Sequence, residues 1–358
     1  MAGIHTLGDI ELRCDYDLEG NKMRKLQNRH AGKWSVSLLA MMVFALMLTA
    51  CGGAQNKENT STNATQEKQT QAENQAGEQN AAEKVVTDAM GHEVTIPANP
   101  QRIIASYLED PLLVLGHKPV AQWSVANGIQ DYLQDQLSGV PTISYDLPPE
   151  TVASFNPDLI LITSEATVQN GLYEQYSKIA PTYVVGDAVT ADWRKTLSTM
   201  GELLNASDKV EAAFKQYEQK VVDTKAKVEA KIGDKTAAII WLVSKNFYVV
   251  NGEVASGAVL YGDLGMKTPN VLAVLPEATA NWNPISLEKL VELDADYLFL
   301  VNSDKGQPGN LEEALWKNIP AVKNGNVFEL DSTSSWLYNG QIAGTKIMDD
   351  LVQLIDSK

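Results

Sequence analysis

Residues 207–232 read SDKVEAAFKQYEQKVVDTKAKVEAKI, and the reading of this stretch decides the fold. Val210, Phe214, Tyr217, Val221 and Val228 recur at helical spacing, Lys and Glu alternate between them, and no proline or glycine intervenes before Gly233. The expectation is one continuous helix, capped by Ser207 and closed by Gly233. At 1.5 Å per residue it would run ~37 Å, longer than a single small lobe needs. It is therefore expected to be a strut linking two lobes.

The flanking segments support that organisation. Ahead of the strut, Val85 to Ile96 alternates as a hairpin around Asp88-Ala-Met-Gly91. Short apolar strands follow at residues 100–104, 119–122, 159–163 and 182–185, with helices near Pro111–Gly116 and Trp193–Asn205. Beyond the strut, strands are expected at 237–242, 247–250, 297–301 and 327–330, with helices at 258–264, around 311–316, and from 342 to 355. Strands alternating with helices imply parallel sheets covered on both faces.

One internal correspondence is more specific. Glu150 opens a helix, Asp158 follows eight residues on, and a buried strand ends in Thr163-Ser164-Glu165. Glu288 opens a second helix, Asp296 follows at the same distance, and a second buried strand ends in Asn302-Ser303-Asp304. Pro148, Pro149 and Ser286 suit helix starts, and a glutamate in the first turn is favoured by the helix dipole.

Composition narrows the class. The 358 residues carry 29 Lys and Arg against 45 Asp and Glu, a net charge of −16. Phosphate-binding proteins concentrate cations instead, so nucleic acid is disfavoured as a partner. A hydrophobic content of 44% is enough for two cores. Near the N-terminus, Lys22, Arg24, Lys25, Arg29 and Lys33 precede an apolar run from Val36 to Leu48 and then Leu48-Thr49-Ala50-Cys51. These are the parts of a secretory signal, and the apolar run is short of the roughly 20 residues a spanning helix needs. Residues 1–21 are acidic, which is odd ahead of a signal, so translation is expected to start at Met23. Residues 1–50 are assigned to the signal and 51–84, rich in Asn, Gln, Glu, Thr and Ala, to a disordered tether. The first lobe is placed at 85–206, the linking helix at 207–232 and the second lobe at 233–358. After processing, His92 and His117 are the remaining histidines, each beside a glycine in a turn. A three-histidine zinc site, a disulfide and a thiolate nucleophile are excluded.

The order Leu-Thr-Ala-Cys, polar tether, Asp-x-x-Gly hairpin, Ile-Pro-x-x-Pro-x-Arg-Ile, Glu-x6-Pro-Asp-Leu-Ile, long helix, then a second Glu-x7-Asp strand resembles the iron–siderophore and cobalamin substrate-binding lipoproteins of ABC importers. Ser256-Gly-Ala-Val-Leu-Tyr-Gly-Asp-Leu-Gly265 and Ser335-Trp-Leu-Tyr-Asn-Gly340 bring it closest to the hydroxamate-siderophore binders. The resemblance implies an α/β fold: two Rossmann-like lobes joined by a single long helix, with a ligand cleft between them. It implies a non-enzymatic, extracytoplasmic, monomeric protein lipidated at Cys51, anchored to the cell membrane as in Gram-positive lipoproteins. It also implies docking of Glu150 and Glu288 on arginines of an ABC permease, whose cytoplasmic ATPase supplies the work. The ligand would be a ferric siderophore, bound through its chelator with no direct metal ligand and no cofactor. Cobalamin or haem is the alternative, with Tyr107 or Tyr338 as an axial ligand for haem.

The cleft is expected at loops that end strands. Ligand-contacting candidates are Tyr107, Trp123 and Ser164 in the first lobe and Lys245, Ser256, Trp282, Ser303, Trp336 and Tyr338 in the second. Aromatic faces with a few donors suit a large, half-apolar chelate. The chain departs from the hydroxamate pattern at Gly252-Glu-Val-Ala-Ser256, where a Trp and an Arg are usual. Residues 85–358 contain only two arginines, Arg102 and Arg194. Triply anionic catecholates normally meet clustered cations, so a neutral or weakly charged ligand is favoured. An enzyme would need a nucleophile with its base, and Glu109-Asp110 alone does not make one.

Overall fold

The computed structural model describes residues 82–357, apart from residues 127, 251, 274–281, 307–309 and 313 and the side chains of 271, 273 and 310. The signal, Cys51 and nearly all of the tether lie outside the described residues.

The chain opens with an antiparallel hairpin, β1 (Lys84–Thr87) and β2 (Glu93–Ile96), turned by Asp88, whose carboxylate accepts from the Met90 and His92 N–H groups. Lys84, placed in the tether from sequence, already belongs to this hairpin. In the first lobe β3 (Ile103–Ala105), β7 (Leu159–Ile162) and β8 (Thr182–Val184) form a parallel sheet in that order. A second sheet holds β4 (Gln122–Val125), β5 (Gly128–Ile129) and β6 (Thr142–Ser144), with β4 between the others. A parallel bridge from Ile104 to Ala121 joins the two sheets. The strand expected at 119–122 thus lies slightly later, and β5 and β6 were not foreseen; each is two or three residues long, too short to show a period. Ile103, Leu159 and Leu161 pack on one face with Leu112, Leu197 and Met200, while Ile104, Ile160 and Ile162 pack on the other with Val152 and Tyr176.

The second lobe is one five-stranded sheet in the order β11-β10-β9-β12-β13. These are β9 (Ala237–Val243), β10 (Asn246–Val250), β11 (Trp282–Ile285), β12 (Tyr297–Asn302) and β13 (Val327–Asp331). β9, β12 and β13 are parallel, but β10 runs antiparallel to both its neighbours, so the sheet is mixed rather than all-parallel. The cause is local: Ser244 and Lys245 adopt left-handed backbones (φ 49° and 65°) and make a two-residue hairpin turn.

The strut is a single 25-residue helix, Ser207–Lys231. Ser207 is its first helical residue and does not cap it; the cap position is Ala206, with no side-chain bond. Val210, Ala213 and Phe214 near its start enter the first lobe's core, and Tyr217, Val221 and Val228 enter the second lobe's. One helix therefore nucleates two cores, which ties the lobes to a common axis. A closing helix, Gln341–Asp356, packs along the strut, and Gly344 leaves room for the Tyr217 hydroxyl where a Cβ would collide.

The two carboxylate modules repeat in space. Asp158 accepts from the Gln101 and Arg102 N–H groups at 2.7 and 2.9 Å, ahead of β3. Asp296 accepts from the Thr236 N–H at 2.9 Å, ahead of β9. In each lobe the aspartate before a central strand fixes the entry of its neighbour.

Candidate functional site

The loop after β3 builds the first wall. Ser106 and Tyr107 turn the chain, with Tyr107 in the left-handed region (φ 62°), an uncommon backbone for an aromatic residue. The next helix, Glu109–Val114, begins with two buried carboxyls. Glu109 is fully buried, and its Oε1 accepts from the Trp123 N–H at 2.7 Å. Burial pushes its acid up to about 8, and its Oε2 is unpartnered. Asp110 is pushed up to about 6 by burial, against the pull of N–H donors from Ala343 and Ile342.

These carboxyls seat a group of rings. Tyr107 meets Trp123 edge-on at 5.1 Å between centroids, and Tyr338 from the second lobe lies 4.9 Å from Tyr132 and 6.4 Å from Tyr107. Beside them is a cavity of about 510 Å³ between the lobes, lined by Tyr107, Thr163, Asp187 and Trp193 on one side and Val254, Asn339 and Gln341 on the other. Asn339 Oδ1 accepts from the Ala255 N–H at 2.5 Å and so ties that side together. At the edge Arg194 pairs with Asp263 at 2.9 Å, and its guanidinium lies over Trp193 and Tyr217. Tyr217 donates to the other oxygen of Asp263 at 2.7 Å, so the strut and both lobes share one polar joint.

The second lobe contributes its own aromatic group at the end of its sheet. Trp241 sits edge-on to Trp282 at 4.9 Å and near Tyr248 at 5.5 Å, and its Nε1 donates to Ser303 Oγ at 3.0 Å.

Of the residues expected to touch ligand, Tyr107, Trp123 and Tyr338 are brought together, and Trp282 and Ser303 join through Trp241. Ser164 caps the turn 165–168 by accepting from the Ala166 N–H. Lys245 stands at an exposed hairpin tip, its N–H held by Asp304. Two assignments are corrected. Trp336 is fully buried, stacked on Phe299 at 5.0 Å with its Nε1 on Asp350, and is a core side chain. Ser256 is also fully buried, its hydroxyl enclosed without a partner, so neither presents a surface to a ligand. Trp241, Tyr132 and Trp193 were missed. Trp241 had a signal, an indole near the end of an otherwise aliphatic strand; Tyr132 sits in an irregular segment that carries none.

Glu150 and Glu288 are both exposed in the first turns of the helices Pro149–Ser154 and Leu287–Val291. Its own backbone N–H, with the Ser286 hydroxyl, holds the Glu288 carboxyl below its ordinary range.

A family model described as periplasmic binding protein matches residues 105–333. The iron(3+)-hydroxamate-binding protein YxeB of Bacillus subtilis is 28% identical over 334 residues, covering 90% of this chain and 97% of that protein. The iron(3+)-hydroxamate-binding protein FhuD of the same organism is 28% identical, covering 84% and 90%. The structure of FhuD2 from Staphylococcus aureus with bound ferrioxamine B superposes with a TM-score of 0.62 at 26% identity, over 72% of this chain and 97% of that one.

Proposed function

We propose, from the premise that the chain belongs to the periplasmic binding protein family, that it captures a ferric siderophore of hydroxamate type in the interlobe cleft and delivers it to an ABC permease. The protein works outside the membrane as a monomer, held by lipid on Cys51. Glu150 and Glu288, one exposed carboxylate per lobe, present it to paired cationic pockets of the permease. The ATPase belongs to that partner. Iron is cargo, enclosed by its chelator.

The observation that carries this reading is the lining of the cleft. Tyr107 and Trp193 offer ring faces to a large, half-apolar ligand, and the Tyr107 ring is backed by Trp123 and Tyr338. Among the described residues the 510 Å³ cavity is lined by no Lys, Arg or His, while Asp110 and Asp187 both border it. A polyanionic chelate would meet like charge there; a neutral or cationic tris-hydroxamate would not. Both relatives named above carry hydroxamate binding in their names.

Quenching of tryptophan fluorescence across a panel tests this. Ferric tris-hydroxamates should quench at micromolar concentration or below, and ferric tricatecholates and ferric citrate should not. A Soret shift with haemin, or quenching by cobalamin, without a response to ferric hydroxamates would overturn the reading.

A further inference from the structure

We propose that Asp110 is a positioning residue: a first-lobe carboxylate that fixes the second-lobe segment bearing Tyr338, so that the ring wall of the cleft is assembled across both lobes. This rests on the ligand reading above and goes beyond it, because it assigns the assembly of the site to one contact.

The closing helix Gln341–Asp356 has no cap of its own. Its cap position is Gly340, which has no side chain, and Asp110 supplies the missing acceptor from the other lobe. Its Oδ1 takes the Ile342 N–H at 3.1 Å and its Oδ2 the Ala343 N–H at 2.9 Å. A carboxylate at a helix start satisfies two orphan donors and meets the positive end of the dipole. The same Oδ2 accepts from the Tyr132 hydroxyl at 3.2 Å. Gly340 (φ 154°) is pressed against this carboxyl, and a Cβ there would collide with all three of its outer atoms. Tyr338 stands two residues before Gly340, its ring against Tyr132 and Tyr107. One carboxyl thus holds a ring of the first lobe and the helix end that aims a ring of the second.

The contact is titratable. Burial pushes Asp110 up to about 6, so acidification through that value replaces an acceptor with a donor and removes the charge facing the helix end. The groups around it are Glu109 beside it, Tyr132, and Tyr217 on the strut. The nearby cation on the closing helix, Lys346, is engaged by Asp135.

The test uses ferrioxamine B as probe, titrated by tryptophan quenching from pH 7.5 to 5 on the wild type, Asp110→Asn and Gly340→Ala, with the chelate's absorbance confirming its integrity. Amide exchange of the 338–346 segment is followed in the ligand-free proteins. The wild type should lose roughly tenfold in affinity across that range, the loss expected for one or two charge-assisted hydrogen bonds. Asp110→Asn should start roughly tenfold weaker and show a flat pH profile. Gly340→Ala should match it, and the double variant should lose nothing more, because both break one contact. Exchange at Ile342 and Ala343 should quicken in each variant. If Asp110→Asn keeps the wild-type affinity, pH profile and exchange, the assignment is wrong. Should that variant not fold, the wild-type profile and Gly340→Ala decide alone, a flat wild-type profile overturning it. A wild type that binds no chelate at any pH defeats the functional reading instead, and amide exchange still judges the contact.

Discussion

The two lobes share a scaffold and differ in how they hold their aromatic groups. Both set a glutamate at a helix start, an aspartate eight residues on, and a buried strand paired in parallel with a neighbour. The first lobe then spends two buried carboxyls, Glu109 and Asp110, on holding Trp123, Tyr132 and the helix end behind Tyr338. The second lobe holds Trp241 and Trp282 with an antiparallel hairpin, whose turn is fixed by Asp304 accepting from the Ser244 and Lys245 N–H groups at 2.8 and 2.6 Å. Buried charge orders the aromatic group of the first lobe and exposed turn chemistry that of the second. The first group is accordingly the pH-sensitive one, and the second draws its order from backbone pairing.

The sharpest way to break this comparison is through two tryptophans that look alike in sequence. Trp336→Ala removes a fully buried indole and should cost about 3–5 kcal/mol of stability, measured by urea unfolding, with affinity for ferric hydroxamate retained by the molecules that fold. Trp123→Ala should do the reverse: a small change in unfolding midpoint and roughly tenfold weaker quenching of the remaining tryptophans, the loss expected for one aromatic contact. Equal effects of both changes on affinity would return Trp336 to the cleft.

Next in size is the pH response of the first wall. Glu109 titrates at about 8 in the folded chain against an ordinary 4.5. Between those values the native state holds a proton that the unfolded chain has released, so stability falls as pH rises and the penalty is complete above about 8. Glu109→Gln keeps an acceptor for the Trp123 N–H and cannot ionise. At pH 9 it should be more stable than the wild type by on the order of a few kcal/mol, and at pH 4 indistinguishable from it. Parallel unfolding curves at both pH values would show that Glu109 ionises freely.

The scaffold was more legible than the site. The strut shows itself through an apolar stripe uninterrupted for 25 residues, and the central strands through aliphatic runs such as Leu159–Ile162. The family resemblance came from the order of such elements. What stayed hidden depends on partners far apart in the chain. Trp336 and Tyr338 lie in one short turn, yet one enters the second lobe's core and the other packs on Tyr132 of the first lobe, because the 3₁₀ geometry at Ser335–Leu337 separates them. Asp110 is an unremarkable helix-start acid until the closing helix, more than 200 residues later, arrives without a cap. The mixed second sheet turned on two left-handed residues, Ser244 and Lys245, neither of which is a glycine.

A smaller effect is expected at the shared feature that faces outward. Glu150→Arg or Glu288→Arg should lower siderophore uptake by whole cells about tenfold each, as expected for reversing one docking charge, with the dissociation constant for the chelate unchanged. Unequal losses would show that the lobes do not dock alike. Loss of chelate affinity would place these side chains in another role.

The smallest expected effect tests whether the repeated aspartates are equivalent. Asp158 accepts from two backbone N–H groups, Gln101 and Arg102, whereas Asp296 accepts from one, with the Thr236 hydroxyl at 3.2 Å and Lys235 at 3.4 Å as side-chain donors. An exposed lysine adds little, since water screens it. Replacing either by Asn leaves one amide oxygen to accept, so Asp158→Asn should strand a backbone donor and cost about 1–2 kcal/mol, and Asp296→Asn about half as much. The Asp296 carboxyl is held below its ordinary range, first by the Thr236 N–H, so its contribution is present above pH 4 and lost as pH falls through its lowered value. In urea unfolding, the gap between Asp296→Asn and the wild type should therefore be full at pH 7 and narrow as the pH is lowered below 4. Chelate affinity should stay constant in both variants, because neither aspartate lines the cavity.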